Sequence, residues 1–365
     1  MSGYLEIIKT ALILFPFIAF LISLPFLLSQ YHKYGAITFW KTLILYSFVL
    51  YLTCAYFLVI LPLPDPVEVA AITSPRAQLI PGQFIADFFS HTRLNLSQPA
   101  TYLPALTQSY FYVPIYNLLL TLPFGLYLHY YFKFSLKKTV LASFLLSLFF
   151  ELTQLTGLYF IYPRGYRLFD VDDLILNTLG GLLGYLAATP LLKILPTREQ
   201  IDLSARERGQ TVSGLRRTLA FGFDFILFSL LASVLGSCFS STFAAIVAFI
   251  IYYLVIPLAL RGSTVVQKFL QLKIVGQDDQ FSPSRLTLNR LALAAIYFIL
   301  PSACFALLRL LPNPENVLLL AFAAFFYLIF CAVLLLRILF TTKPLPHERL
   351  SRTKLVSTVQ PYSML

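Results

Sequence analysis

A dense group of side chains that can ionise or form hydrogen bonds lies between residues 151 and 177. In an apolar chain such groups are informative, because burying one within a membrane is costly unless it is paired or faces water. Carboxylates and amides grouped in this way can bind a polar head group or exchange protons. The candidate site residues are Glu151, Gln154, Arg167, Asp170, Asp172, Asp173 and Asn177.

The spacing of these residues places several of them on common helix faces. Glu151 and Gln154 are three residues apart, and a helix that begins near Asp170 carries Asp173 and Asn177 on one stripe. Small residues continue that stripe with G-x-x-x-G spacing, which lets two helices approach closely. We predict that the stripe packs against the preceding apolar helix, so that both Glu151 and Gln154 face Asp170, Asp173 and Asn177. A polar pocket should then open to the outer face. The packing residues are Gly180, Gly181 and Gly184.

Helix capping is the alternative interpretation of the three aspartates. Carboxylates at a helix N-terminus accept hydrogen bonds from free N–H groups and interact favourably with the helix dipole. Capping accounts for one of the three but not for Glu151, which needs a partner if it lies inside a helix. Arg167 and Arg164 are the nearest basic candidates, so we favour a functional site.

The elements that must position these residues are membrane-spanning helices. The chain is 58% hydrophobic and 12% charged, with a mean hydropathy of +0.79, which excludes most soluble folds. Continuous apolar runs of about 20 residues predict spanning helices, not the alternating strands of a barrel. We therefore predict an all-α, polytopic bundle of about nine spans. The runs are 11–30, 39–62, 110–132, 136–160, 171–193, 217–236, 241–260, 291–311 and 317–340.

The spans form a group of five and a group of four. Most of the 27 Lys and Arg residues fall on one side of the membrane if the N-terminus is outside, so the positive-inside rule predicts an N-out, C-in orientation. The positive-inside rule then explains the net charge of +11 without a nucleic-acid ligand, so we predict no nucleic-acid partner. The predicted domains are a transmembrane domain at 1–195, a cytoplasmic linker at 196–216, a second transmembrane domain at 217–340 and a basic cytoplasmic tail at 341–365.

The polar and glycine pattern from Glu151 to Gly184 resembles the signature of the VanZ-like family. The similarity extends upstream to Asn117, Pro123 and Gly125 and covers about residues 35–195. The resemblance implies a multi-pass protein of the bacterial cell membrane that acts in the cell envelope. The founding member of the family confers low-level resistance to teicoplanin. The resemblance therefore implies an antibiotic-resistance accessory protein that is not an enzyme. Because the predicted polar stripe lies on the outer side, where teicoplanin acts, we expect it to bind a lipid-linked envelope component, such as a cell-wall precursor, or the glycopeptide itself.

The second group of spans is similar to the RDD family, which is named for an arginine and two aspartates. The residues that carry this resemblance are Arg217, Asp224, the Asp278 and Asp279 pair, and Arg290. The loop at 262–267 lacks the second glycine and the lysine of the family pattern. Asp224 lies two helical turns beyond Arg217, about 10 Å into the membrane, and needs a partner there. A buried ion pair, polar contacts between helices and an ion or proton site all fit this pattern.

Two further functions compete with a binding role. Glu151 with Asp170 or Asp173 is a possible acid and base pair for a membrane-embedded enzyme that acts on a lipid head group, although no Ser, Cys or His nucleophile lies nearby. Asp224 is a possible carrier for an ion or proton exchanger. No metal ligands occur at characteristic spacing, so we predict neither a metal nor a cofactor and expect membrane lipids as partners. The sequence leaves the oligomeric state open.

Overall fold

The computed structural model describes residues 2–92, 94–309, 316–340 and 344–361. Within these residues, nine helices are long and apolar enough to cross a membrane. This confirms the predicted all-α, multi-pass fold. The eighth span starts at Pro283, eight residues before the predicted start at 291, because Ser282 caps the helix and accepts a hydrogen bond from the backbone N–H of Arg285.

The chain divides into two compact units. The first comprises Met1–Ser23 and Phe39–Ile201, and the second comprises Leu24–Thr38 and Asp202–Leu365. The first helix, α1 (Ser2–Tyr34), contributes residues to both units.

The first unit contains the next four predicted spans and the long loop between the second and third. Its elements are α2 (Phe39–Ile60), α3 (Pro66–Ala71), β1 (Ala77–Gln78), α4 (Gln83–His91), a 3₁₀ turn (Pro99–Thr101), α5 (Tyr102–Leu106), α6 (Ser109–Tyr130), α7 (Leu136–Leu155), a helical turn (Gly157–Phe160), β2 (Phe169–Asp170) and α8 (Val171–Leu191). Helix α9 (Arg198–Gly209) follows and continues into the second unit.

Helix α8 lies between α6 and α7, and its glycines make the close packing possible. A Cβ atom at Gly180 or Gly184 would lie 2.0 Å or 1.9 Å from a carbonyl oxygen of α6, and a Cβ atom at Gly181 would lie 1.9 Å from Ser143 Oγ of α7. The sequence predicted α7 as the partner of the whole stripe. Only Gly181 faces α7, because it is rotated by about 100° from Gly180 around the helix axis.

The second unit contains the last four spans and a small sheet. Its elements are α10 (Gly214–Gly236), α11 (Ser241–Phe249, with a π-helical segment Ile250–Val255 and a last turn Ile256–Ala259), α12 (Val265–Phe269), β3 (Leu272–Gly276), α13 (Pro283–Ala294, continuing through a π-helical segment Ala295–Ile299 to Leu300–Arg309), α14 (Asn316–Phe340), α15 (Pro346–Ser351) and β4 (Thr353–Ser357).

The residues predicted as linker and tail form regular structure. The linker region holds α9, and β4 of the tail pairs with β3 in antiparallel register, from Leu272 opposite Ser357 to Gly276 opposite Thr353. In addition, Asn289 of α13 donates hydrogen bonds to side chains of the tail. The described part of the tail is therefore folded into the second unit.

Replacing Gly184 with alanine is expected to destabilise the first unit. The added methyl group would clash with the backbone of α6, and overpacking costs about 1–3 kcal/mol. We expect the apparent melting temperature of the purified protein to fall by at least about 2 °C. Gly222→Ala is the matched control, because a Cβ atom there meets nothing within 4 Å. An equal fall for both variants would contradict the packing role of Gly184.

Candidate functional site

Glu151 lies one turn before the end of α7. The helix ends at Leu155 because Gly157 and Leu158 adopt positive φ angles of 60° and 55°. The sequence had predicted a span to residue 160, with Glu151 deeper inside it. Glu151 is 2% exposed, and its Oε2 accepts a hydrogen bond of 2.9 Å from the backbone N–H of Asp170. The carboxylate therefore joins α7 to the start of α8.

Asp170 caps α8, as the alternative interpretation of the sequence expected for one of the aspartates. Its side chain accepts a hydrogen bond of 2.8 Å from the backbone N–H of Asp172. Burial raises the pKa of the Asp170 carboxyl. This hydrogen bond opposes the rise, whereas the charges of Asp172 and Asp87 add to it.

Asp172 fastens the long loop to α8. Its Oδ1 accepts a hydrogen bond of 2.6 Å from the N–H of Gly82, and its Oδ2 accepts one of 2.9 Å from the N–H of Phe84. Both N–H groups lie at the N-terminus of α4, where a negative charge is stabilised. The parallel pairing of β1 with β2 makes a second attachment between the loop and the start of α8. Asp172 is 2% exposed, so it anchors the loop and does not project into open space.

Asp173 and Asn177 connect α8 to its two neighbouring helices. Asp173 accepts a hydrogen bond from Asn117 of α6, and the side-chain amide of Asn177 donates one of 3.0 Å to Ser147 Oγ of α7. The carbonyl oxygen of Asn177 also accepts a hydrogen bond from Thr121 of α6. These contacts are polar links between helices, which explains why polar residues recur along the stripe.

Gln154 faces away from this group of residues. Its side-chain amide donates a hydrogen bond of 3.2 Å to the carbonyl oxygen of Val59 in α2. The prediction that Glu151 and Gln154 both face α8 therefore holds for Glu151 alone in this structure, because Gln154 reaches the other neighbour of α7.

The two arginines between α7 and α8 bind backbone carbonyl groups. Arg164 donates to the carbonyl oxygens of Ile72 and Ser74, the latter at 2.7 Å, and Arg167 donates to that of Leu61 at 2.6 Å. The charge of Arg167 also attracts the nearby carboxylates of the cluster electrostatically. Both guanidinium groups remain half-buried at a pocket.

This pocket, which we call the loop pocket, has a volume of about 440 Å³. It lies between residues 72–80 of the long loop and residues 164–168 of the α7–α8 connection. Its lining contains two guanidinium groups and no carboxylate. Sequence reasoning considered Arg164 only as a partner for Glu151 and did not include residues 72–80, since that segment carries no distinctive motif. The lining residues are Ile72, Ser74, Pro75, Ala77, Gln78, Leu79, Ile80, Arg164, Gly165, Tyr166, Arg167 and Leu168.

Asp224 in the second unit is paired mainly by hydroxyl groups. It is 2% exposed and accepts hydrogen bonds of 2.7 Å from Tyr252 and 2.9 Å from Thr264. Arg290 attracts it electrostatically, and its Nη2 donates a hydrogen bond of 3.0 Å to Gln267. Asp224 is thus buried as expected, with hydroxyl donors that the sequence analysis did not name.

Arg217 does not hydrogen-bond to Asp224 in the described structure. It pairs with Glu348 of α15. The sequence analysis missed the neighbouring Arg216, whose guanidinium is fully buried and donates to the carbonyl oxygens of Leu270, Gln271 and Gly209. Nothing in the sequence indicated that Arg216 is buried, because it follows a polar segment that is expected to be exposed. Among the described residues, no group of three or more His, Cys, Asp or Glu side chains is placed to hold a metal ion.

Removing the Asp172 carboxylate should loosen the start of α4. In Asp172→Ala the N–H groups of Gly82 and Phe84 lose their acceptors, each a hydrogen bond to a charged group worth about 1.5–3 kcal/mol. We expect hydrogen–deuterium exchange in residues 79–91 to accelerate by at least about tenfold. Asp65→Ala, which removes the cap of α3, is the control and should affect only residues 66–71. Unchanged exchange at 79–91 would disprove the anchoring role.

Comparison with known proteins gives a match in the first unit. Residues 48–195 match the VanZ/LLP1 family model, slightly less than the 35–195 that the sequence resemblance suggested. No curated protein and no solved structure matches the chain. The comparisons give no evidence for an RDD domain in the second half. A VanZ-like domain therefore covers residues 48–195 of this multi-pass membrane protein, and it includes both the carboxylate cluster and the loop pocket.

Proposed function

We propose that this protein acts in the bacterial cell envelope and binds the anionic head group of a lipid-linked envelope component in the loop pocket. The observation that carries the proposal is the lining of this pocket by Arg164 and Arg167 without a carboxylate. Guanidinium groups bind phosphate and carboxylate groups with favourable geometry. The proposal applies to the VanZ-like domain and is independent of the second unit.

The hydrogen bonds of the arginines support an anionic ligand. Arg164 and Arg167 donate to neutral carbonyl groups, which fix the side chains but leave their positive charges in place. The Nε of Arg164 has no acceptor among the described residues. Carboxylates of the cluster lie nearby, since Gln78 of the pocket lining donates hydrogen bonds to Asp170 and Asp172, but none of them lines the pocket. A ligand phosphate is thus attracted to a preorganised, positively charged wall.

The position of the loop pocket supports a ligand that is attached to the membrane. Arg164 and Arg167 follow the end of α7 and precede α8, so the pocket lies where two spans end. Its wall also contains Leu79 and Ile80, each 66% exposed, and exposed apolar side chains next to charged ones are typical of a lipid–water interface. A lipid with a charged head group fits both features.

The other predicted functions find less support in the contacts. Glu151 and Asp173, the proposed acid and base of an enzyme, are each held by a hydrogen-bond donor of the protein. An anchoring role explains those contacts without catalysis. A glycopeptide such as teicoplanin is an alternative ligand for the same pocket, and the link to antibiotic resistance rests on the family resemblance. The RDD resemblance and an exchanger role for Asp224 remain separate hypotheses about the second unit.

Replacing Arg167 with glutamine should weaken the binding of a long-chain polyprenyl diphosphate. Loss of a hydrogen bond to a charged group, worth about 1.5–3 kcal/mol, corresponds to a Kd increase of about 10- to 100-fold. Binding is measured with the full-length protein in nanodiscs. Arg76→Gln is the matched control, because Arg76 lies on the same loop and is exposed but does not line the pocket.

Two competitors identify the ligand chemistry in the same assay. A polyprenol without phosphate should bind at least tenfold more weakly, and equal binding would refute recognition of an anionic head group. Teicoplanin should not displace the diphosphate lipid, whereas displacement in wild type and not in Arg167→Gln would favour the glycopeptide alternative. An equal loss in Arg76→Gln and Arg167→Gln would show an effect of surface charge alone.

The proposal also requires the predicted N-out orientation. Cys238 is exposed between α10 and α11 and lies on the outer side in that orientation. After replacement of Cys54, Cys304 and Cys331 by serine, a membrane-impermeant maleimide should label Cys238 in intact cells. In a cysteine-free variant that carries Gln210→Cys, labelling should require permeabilised cells. The reverse pattern would place the loop pocket on the inner side and refute an outer binding site.

A further inference from the structure

The second unit contains a cavity of about 350 Å³, which we call the bundle cavity. Its apolar wall residues come mainly from α10, α13 and α14, and Leu345, His347 and Glu348 of the tail also line it. The volume lies near the lower end of the range of about 300–1,000 Å³ that is usual for ligand pockets, so one hydrocarbon chain suits it better than two. The principal wall residues are Phe221, Phe225, Phe298, Phe330, Leu334 and Leu335.

The mouth of the bundle cavity lies within the membrane-spanning part of the unit. Phe225 of α10 is 42% exposed and Leu335 of α14 is 46% exposed, and both line the cavity. Both helices are membrane spans, so side chains exposed there face hydrocarbon. A ligand can therefore enter from the lipid phase without crossing water.

The polar end of the cavity contains an arginine with a spare donor. Arg290 lines the cavity and is 3% exposed, and its Nε has no hydrogen-bond acceptor among the described residues. Its Nη2 donates to the neutral side chain of Gln267, and its guanidinium lies 5.7 Å from the ring centre of Tyr253. A buried N–H group without an acceptor lowers the stability of the folded protein, so a ligand that supplies an acceptor would restore a missing hydrogen bond.

The neighbouring groups do not supply that acceptor. Asp224 is engaged by two hydroxyl groups, and Glu348 is paired with Arg217. Burial, together with the positive charges of Arg290 and Arg217, lowers the pKa of His347 to about 3, so this side chain is neutral at physiological pH. The cavity is therefore apolar along most of its walls. Its polar end holds the Arg217–Glu348 pair, Asp224 and Arg290, and among these the Nε of Arg290 is the donor without an acceptor in the described residues.

We propose that the bundle cavity binds a single-chain membrane amphiphile with an anionic head, such as a long-chain carboxylate. The hydrocarbon chain lies against Phe225 and Leu334, and the head accepts a hydrogen bond from Arg290 Nε. This site is in a different unit from the loop pocket and takes a different ligand class, so either proposal can fail without the other.

The test uses full-length protein in vesicles with a diazirine-bearing palmitic acid and maps the cross-linked peptides. We expect labelling in α10 and α14 that palmitate suppresses at least tenfold more effectively than hexadecanol. Leu334→Trp should fill the cavity and reduce labelling at least tenfold. Leu336→Trp is the matched control, because Leu336 lies on the same helix, is 55% exposed and does not line the cavity.

Two results would overturn the proposal. Equal labelling of wild type and Leu334→Trp would show contact with surrounding lipid only. Equal suppression by hexadecanol and palmitate would remove the role of the anionic head. Arg290→Gln is expected to abolish the preference for palmitate, with folding checked by size-exclusion chromatography. The Leu334→Trp and Leu336→Trp pair decides the question if the arginine variant does not fold.

Discussion

Polar groups inside hydrocarbon must find partners within the protein, and this constraint organises both units. In the VanZ-like domain, polar side chains of α8 make hydrogen bonds to α6 and α7, while the glycines between them bring the backbones close enough for those bonds. The hydrogen bonds depend on the close packing, because an Asn or Asp side chain is short and reaches a neighbouring helix only when the two backbones lie close together. Polar links and small residues therefore occur together on one helix.

The same requirement explains how the long loop of the first unit is held. Asp172 provides one carboxylate for two backbone N–H groups at the start of α4, and Glu151 binds the backbone at Asp170. The pairing of β1 with β2 and the hydrogen bonds from Arg164 to Ile72 and Ser74 hold residues 72–80 against the α7–α8 connection, and the loop pocket lies between them. The acidic cluster that first suggested a binding site thus holds the loop next to α8, and Arg164 and Arg167 beside it line the pocket to which we assign the proposed binding.

The fold class followed from the sequence because hydropathy is a property of each segment alone. Nine apolar runs predicted nine spans. Two of the shifts in their limits follow from local signals, the cap at Ser282 and the positive φ of Gly157. The pairing of side chains was harder to predict because it depends on helix rotation and on loops. The spacing of Gly180 and Gly184 did not reveal whether α6 or α7 would be their neighbour.

A residue of the candidate sites could be predicted from the sequence when it was a charged or polar residue within an apolar run. Asp224 is such a residue, and its burial agrees with the reasoning from sequence, but its hydroxyl partners come from distant segments that carry no motif. Arg216 did not stand out, because it lies beside Arg217 at the end of a charged linker. Two adjacent arginines on a helix point about 100° apart. Arg216 therefore donates to backbone carbonyl groups and to Ser357 of β4, whereas Arg217 pairs with Glu348 of α15.

Arginine has one recurring role in this protein that links its stability to its proposed binding. Arg164, Arg167 and Arg216 all donate hydrogen bonds to backbone carbonyl groups. A carbonyl group satisfies an N–H group but does not cancel its charge, so the protein gains a rigid loop or helix junction and keeps a positive field. At Arg216 that charge is enclosed, whereas at Arg164 and Arg167 it borders a pocket. Accessibility, and not the type of hydrogen bond, therefore separates a structural arginine here from one that is available to an anion.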